Sequence, residues 1–288
     1  MEIFQMVFNK NNVLILGDGF LGSEFVRRGY KFHTTRKKEN VNDIDTFYLN
    51  VDSDLLSVHL ERIFNKIHFT TIINCIGIAD TRYCEKRENF QEIIRINGDF
   101  VDFLSRWCKE FGVKLVQVSS GCLYARQTGT VSETDFIEAH CNYVVSKWVG
   151  EMGCDLERDL IIRPRLYFSD VENKLNLICK FSKFTTVLNE FNSVTSTRTI
   201  VEAVTSLLEN NQVGVFNVAN DGAYTIKQLS EAIGYKWNKE QIVTQAELHK
   251  SQGLYLVNNV MDLSKLKQFY IPRDAIAEFK WCKENMHV

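Results

Sequence analysis

Four short apolar runs punctuate the first part of the chain: "VLIL" at 13–16, "TTIINCI" at 70–76, "KLVQVSS" at 114–120 and "DLIIRPR" at 159–165. They are continuous rather than alternating, the pattern of strands buried on both faces. Between them, residues 20–29, 54–66, 89–111 and 142–158 read as amphipathic helices. This βαβα order predicts an α/β fold, a Rossmann-type doubly wound parallel sheet covered by helices on both faces. The second half is less regular. It predicts a helix near 173–184, another at 199–209, a strand at "VGVFNVA", a helix from Thr225 and a last helix after Pro272. We expect a nucleotide-binding domain at 1–162 and a smaller, interleaved substrate-binding domain at 163–288, with some strands crossing back.

The first strand runs into "GDGFLG", which sets Gly17, Gly19 and Gly22 in a G-x-G-x-x-G spacing. The first glycine permits a tight turn, the second lets backbone approach a pyrophosphate, and the third allows close helix–strand packing. An NAD site needs an acid on the second strand for the ribose 2′-hydroxyl. Here "YKFHTTRKKEN" has none before Glu39. Thr34, Thr35, Arg36 and Lys37 instead suit a 2′-phosphate. NADPH is the expected cofactor, with NADH the alternative.

"NYVVSKWVGE" places Tyr143 and Lys147 four apart, on one helix face. A phenol is a poor acid–base group at neutral pH unless a nearby cation favours its ionised form, and Lys147 supplies that cation. Ser120 ends the apolar run at 114–120, placed to hydrogen-bond a carbonyl under reduction. Cys122 follows two residues later. A cysteine packs readily as a small hydrophobe, or does chemistry as a thiolate; the residues alone leave both readings open.

Composition narrows the function classes. In 288 residues, hydrophobic types make up 45% and the formal net charge is −2, so no broad basic surface recommends nucleic acid or anionic lipid. No apolar run reaches membrane-spanning length, and "MEIFQMVFNKNN" lacks the features of a signal peptide. Eight cysteines occur without a C-x-x-C pair, and six histidines show no metal-ligand spacing. Reduced thiols in the cytoplasm and no metal are therefore expected.

The loop, "IINCIG" (72–77), Asn97, "SSGCLY" (119–124), "YVVSK" (143–147) and "IIRPRLY" together resemble the extended short-chain dehydrogenase/reductase family. Within it, "YCEKRENFQEIIRIN" (83–97), "RPRLYFSD" (163–170) and "NLICKFSKF" (176–184) resemble the epimerase/reductase half of plant UDP-rhamnose synthases. Reductases making dTDP-rhamnose and GDP-fucose are more distant. "GDGFLG" departs from that family's usual G-x-x-G-x-x-G. The resemblance implies a bifunctional enzyme that epimerises carbons 3 and 5 of UDP-4-keto-6-deoxy-D-glucose and reduces carbon 4, giving UDP-L-rhamnose. It assigns Ser120, Tyr143 and Lys147 to reduction, and Cys122 and Lys180 to the epimerase pair. The implied cofactor contacts are Gly17, Gly19, Phe20, Leu21, Gly22, Arg36, Lys37, Gly77, Tyr143 and Lys147. It further implies a separate 4,6-dehydratase upstream. Homodimer contacts would run through 89–111 and 142–158, which carry Phe100, Phe103, Trp107, Val144, Trp148 and Met152. The alternatives are a reductase without epimerase activity and a non-catalytic, NADP-binding regulatory subunit.

Overall fold

A computed structural model describes residues 8–38, 41, 43–124, 129–252 and 258–287. The apolar runs form the centre of a seven-stranded sheet: β1 (Val13–Leu16), β2 (Phe32–Thr35), β3 (Thr46–Tyr48), β4 (Thr71–Asn74), β5 (Lys114–Val118), β6 (Leu160–Pro164) and β7 (Gly214–Val218). Their order is β7-β6-β5-β4-β1-β2-β3, and the pairings from β6 through to β3 are parallel. The order reverses between β1 and β4. In such sheets the crevice outside the carboxyl ends of the strands at that point is where ligands bind. β3 was invisible in the sequence because it is three residues long and lacks an apolar run.

The chain divides into two compact units that exchange segments. The first comprises Met1–Ser119, Ala139–Ile162 and Val204–Val215. The second comprises Ser120–Glu138, Arg163–Ala203 and Phe216–Val288. Within the sheet, β6 and β7 each carry the chain from one unit to the other.

In the first unit, α1 (Gly22–Arg27) follows the glycine loop and α2 (Leu56–Ile67) ends at His68, whose φ of 48° stops the helix. The helix expected over 89–111 is continuous in direction but not in type. α3 (Phe90–Ile94) passes through a π-turn at Arg95–Asp99 into α4 (Phe100–Glu110). Packing accounts for the change. A Cβ on Gly98 would lie 2.8 Å from Val149, and one on Gly150 would strike the carbonyl oxygen of Asn97, so α5 (Asn142–Met152) lies almost against the backbone of the π-turn. The expected helix at 142–158 stops at Met152. Gly153 follows, packed on Asp102. Leu14, Leu16, Leu60, Ile72, Leu104, Trp107 and Leu115 form the core beneath.

The second unit is built from short pieces. Residues 173–184 do not form one helix. Asn176 caps α6 (Leu177–Lys180) by accepting from Ile178 N–H, and Phe181–Lys183 tightens into a 3₁₀ turn. α7 (Thr197–Glu209) belongs to both units. α8 (Ile226–Ala232) starts with a capping box between Thr225 and Gln228. α9 (Gln245–Gln252) was not foreseen, and α10 (Ala275–Glu284) is capped by Asp274. Phe168, Ile178, Phe181, Val194, Leu229 and Phe279 make a core of their own.

Candidate active site

In the first unit, the glycine loop is shaped to admit a ligand. Gly17 has φ +95°, and a Cβ on Gly22 would strike the carbonyl oxygen of Gly17, so neither tolerates a side chain. Gly19 has nothing within 4 Å of its Cβ position, which leaves its backbone open to an approaching phosphate. Phe20 is half-buried and Leu21 is buried, so Leu21 offers the loop only its main chain. Thr34 Oγ1 accepts from Gly17 N–H at 3.0 Å and Thr35 Oγ1 donates to Asp18 at 2.7 Å. Both hydroxyls are buried and each hydrogen-bonds the loop. Arg36 and Lys37, both exposed, stand open to a 2′-phosphate.

Beyond β4, Asn74 Oδ1 accepts from Ile76 N–H, and Gly77 closes on two side chains. A Cβ there would lie 2.7 Å from Lys147 Nζ and 3.1 Å from Asn97 Oδ1. Asn97 clamps this turn. Its Oδ1 accepts from Ile78 N–H, and its Nδ2 donates to Ile78 O and to Ser146 Oγ on α5. The π-turn thus sets the register between the turn after β4 and the helix that carries Tyr143 and Lys147.

Tyr143 and Lys147 are both buried on α5. Lys147 Nζ donates to Val118 O at the end of β5. Burial pushes its pKa down to about 8, partly opposed by Cys84, Glu151 and Cys75. Ser119 Oγ, at the same edge, is buried with no hydrogen-bond partner. A loop with two positions closed to a Cβ and one left open, a glycine against the lysine and an orphaned hydroxyl at the strand ends all fit a bound dinucleotide.

In the second unit, Ser120 Oγ accepts from Cys122 N–H at 3.1 Å and starts the 3₁₀ turn Gly121–Leu123. That bond uses a lone pair of the serine oxygen, not its proton, so the hydroxyl can still donate to a carbonyl. The Cys122 side chain is half-buried, and Arg165 Nη1 donates to its sulfur at 3.3 Å. Arg165 is itself buried. Its Nη2 donates to Asn192 Oδ1 at 2.8 Å, Asn192 donates to Asn258 Oδ1, and Asn258 donates to Glu190. A Cβ on Gly121 would lie 2.6 Å from Arg165 Cγ, so the turn rests on the stem of this arginine. Lys180 lies half-buried at the last position of α6.

Reading the sequence missed Arg165 as part of the cysteine's surroundings. The signal was present: Arg163 and Arg165 are charges inside an otherwise apolar run, and both are buried. Buried charges are held by partners, and Arg163 has Tyr124 and the Glu133 carbonyl. Of the apolar residues expected at a dimer contact, Phe100, Trp107 and Val144 pack inward, Phe103 and Trp148 are half-buried, and Met152 is 70% exposed.

A family model for the RmlD substrate binding domain matches residues 11–268. The chain belongs to this family, whose members are sugar-nucleotide reductases and epimerases. It is 26% identical over 231 residues to a trifunctional UDP-glucose 4,6-dehydratase/UDP-4-keto-6-deoxy-D-glucose 3,5-epimerase/UDP-4-keto-L-rhamnose-reductase of Arabidopsis thaliana, a match covering 75% of this chain and 33% of that protein. A bifunctional dTDP-4-dehydrorhamnose 3,5-epimerase/dTDP-4-dehydrorhamnose reductase of the same plant is 24% identical, over 76% of this chain and 74% of its own length. The chain thus spans about a third of the trifunctional relative.

Among solved structures, a hypothetical dTDP-4-dehydrorhamnose reductase from Sulfolobus tokodaii has a TM-score of 0.74 at 22% identity, covering 96% of this chain and 100% of its own. A UDP-rhamnose synthase from Acanthamoeba polyphaga mimivirus has 0.75 at 16%, covering 95% and 99%. A dTDP-4-dehydrorhamnose reductase from Bacillus anthracis, in complex with NADP, has 0.73 at 15%, covering 96% and 98%. These likenesses establish the fold. Among the described residues, no helix is long and apolar enough to cross a membrane.

Proposed function

We propose that this chain is an NADPH-dependent 3,5-epimerase and 4-reductase that converts UDP-4-keto-6-deoxy-D-glucose to UDP-L-rhamnose. The observation that carries this reading is the turn Ser120–Gly121–Cys122. It ties a hydroxyl able to donate to a ketone oxygen to a half-buried thiol held by a guanidinium. Reduction alone needs no thiol. The two Arabidopsis relatives that combine epimerase and reductase activities support the reading, as does the reductase structure holding NADP.

The protons on carbons 3 and 5 are acidic because both carbons flank the ketone. Cys122 and Lys180 remove and return them, and inversion follows when the proton comes back on the opposite face. The electron pair rests meanwhile on the ketone oxygen, which Ser120 and Tyr143 stabilise by hydrogen bonding. When held by the glycine loop, Arg36 and Lys37, NADPH would supply the hydride for carbon 4. Tyr143 gives its proton to the oxygen on that carbon, and Lys147 favours the phenolate left behind. A 4,6-dehydration must supply the keto sugar. The eight free thiols favour a reducing, cytoplasmic compartment. Met152, with Leu156 52% exposed beyond it, favours a homodimer through α5, which light scattering at micromolar concentration tests.

The deciding experiment incubates the protein with NADPH and the UDP keto sugar in deuterated water. NADPH loss should accompany a rhamnose product carrying deuterium at carbons 3 and 5. Reduction without exchange would leave a reductase alone. Neither reaction with UDP, dTDP or GDP keto sugars would leave the regulatory reading.

A further inference from the structure

The acid missing from β2 is present in space. Asp18, the second residue of "GDGFLG", receives the Thr35 hydroxyl at 2.7 Å, and Thr35 is the last residue of β2. The same Thr35 oxygen accepts from Lys37 N–H at 3.1 Å, while Thr34 holds Gly17 N–H. Two buried threonines therefore pin the glycine loop to the end of β2, and the carboxylate of Asp18 is held within hydrogen-bond reach of the last residue of that strand. Asp18 is exposed, as are Arg36 and Lys37. Among the described residues, the loop and the end of β2 thus present the carboxylate of Asp18 beside the exposed cations Arg36 and Lys37.

We propose that Asp18 is a specificity-determining residue that opposes Arg36 and Lys37 in the choice between NADPH and NADH. A carboxylate accepts a hydrogen bond from an unmodified 2′-hydroxyl, the role an acid on the second strand plays in NAD sites. Towards a 2′-phosphate it offers no proton and repels the dianion. Arg36 and Lys37 act in the reverse sense, since phosphate is their best partner. The balance makes the preference for NADPH narrow, and its width is set by the loop as much as by the residues after β2. This rests on the reading of a nicotinamide dinucleotide site, not on the identity of the sugar.

Titration of protein fluorescence with NADPH and with NADH, without any sugar nucleotide, tests it. The wild type should bind both, with NADPH favoured by about tenfold or less. Asp18→Asn keeps an acceptor for Thr35 and removes only the charge. It should tighten NADPH by about 10-fold, the scale of one charged hydrogen-bonding partner gained or lost, and leave NADH within threefold or weaker. Arg36→Ala should do the opposite, erasing the preference. Thr35→Val cuts the tether without touching the carboxylate and should weaken NADH more than NADPH. Unchanged NADPH affinity in Asp18→Asn, with binding intact, overturns the role of Asp18 while leaving the proposed reaction standing. Binding of neither cofactor by the wild type overturns both.

Discussion

The two halves of the candidate chemistry are built by opposite means. The nucleotide end in the first unit is mostly backbone: Gly17, Gly22 and Gly77 are places where a Cβ is strained or blocked, and its side chains fasten one turn to the next. The cysteine turn in the second unit is mostly side chain. Arg165, Asn192, Asn258 and Glu190 come from separate stretches of chain and hold one sulfur in a relay of hydrogen bonds. Backbone geometry confers a shape that many ligands share. A relay of side chains holds one atom in place.

The largest effects should separate the halves outright. Tyr143→Phe is expected to lower reduction by about 10²–10⁴-fold, the usual contribution of an acid–base group, while exchange of the carbon 3 and 5 protons survives in part. Cys122→Ala should lose exchange by a similar factor and still reduce a pre-epimerised 4-keto-rhamnose substrate. Nuclear magnetic resonance in deuterated water reads exchange, and NADPH absorbance reads reduction. Wild-type exchange in Cys122→Ala would make the thiol mere packing.

A matched pair of glycine substitutions sharpens the contrast at about tenfold, the cost of displacing a catalytic group by a fraction of an ångström. Gly77→Ala presses on Lys147 Nζ, 2.7 Å away, and should slow reduction without changing exchange. Gly121→Ala presses on the stem of Arg165, 2.6 Å away, and should slow exchange while NADPH affinity stays unchanged. Equal losses in both assays for both variants would show that the two regions are not separable.

The next effect is in pH. With its pKa lowered to about 8 by burial, Lys147 carries a proton below that value and loses it above. The cation that favours the phenolate therefore disappears as pH rises, and single-turnover reduction should fall through pH 8 towards 10. Lys147→Arg, which stays charged, should abolish this falling limb whatever its absolute rate. A wild-type profile flat to pH 10 counts against Lys147 as the supporting cation.

How much of this was legible in the sequence follows the same division. β1, β4, β5 and β6 announced themselves as apolar runs, and the glycine loop and the Tyr143–Lys147 spacing are local patterns. The π-turn was not legible, because nothing in "RINGD" differs from an ordinary helix until Gly150 is known to lie on Asn97. Nor was the Cys122–Arg165 bond, whose partners are 43 residues apart. Nor was the bond from Thr35, at the end of β2, to Asp18 in the loop after β1, whose partners are 17 residues apart. Periodicity reports what an element does, and long-range hydrogen bonds report what a site does.

The smallest effect on turnover should come from Gly150→Ala. It drives a Cβ into the carbonyl of Asn97, and overpacking of this kind costs about 1–3 kcal/mol. Thermal unfolding should shift down while kcat for either reaction changes little, provided Asn97 keeps its hold on Ile78 and Ser146.

The exchange of segments between the units also governs the order in which the protein can be made. The first unit closes only with Val204–Val215, and β7 at residues 214–218 covers the edge of β6. At ordinary elongation rates, the ribosome needs roughly 3–10 s to pass from the end of β6 to that strand. Until then the β6 edge stands bare, and an uncovered strand edge is a template for pairing with another chain. A fragment ending at 162 keeps that edge permanently exposed. The nascent protein therefore passes through a vulnerable interval that ends when its seventh strand is delivered.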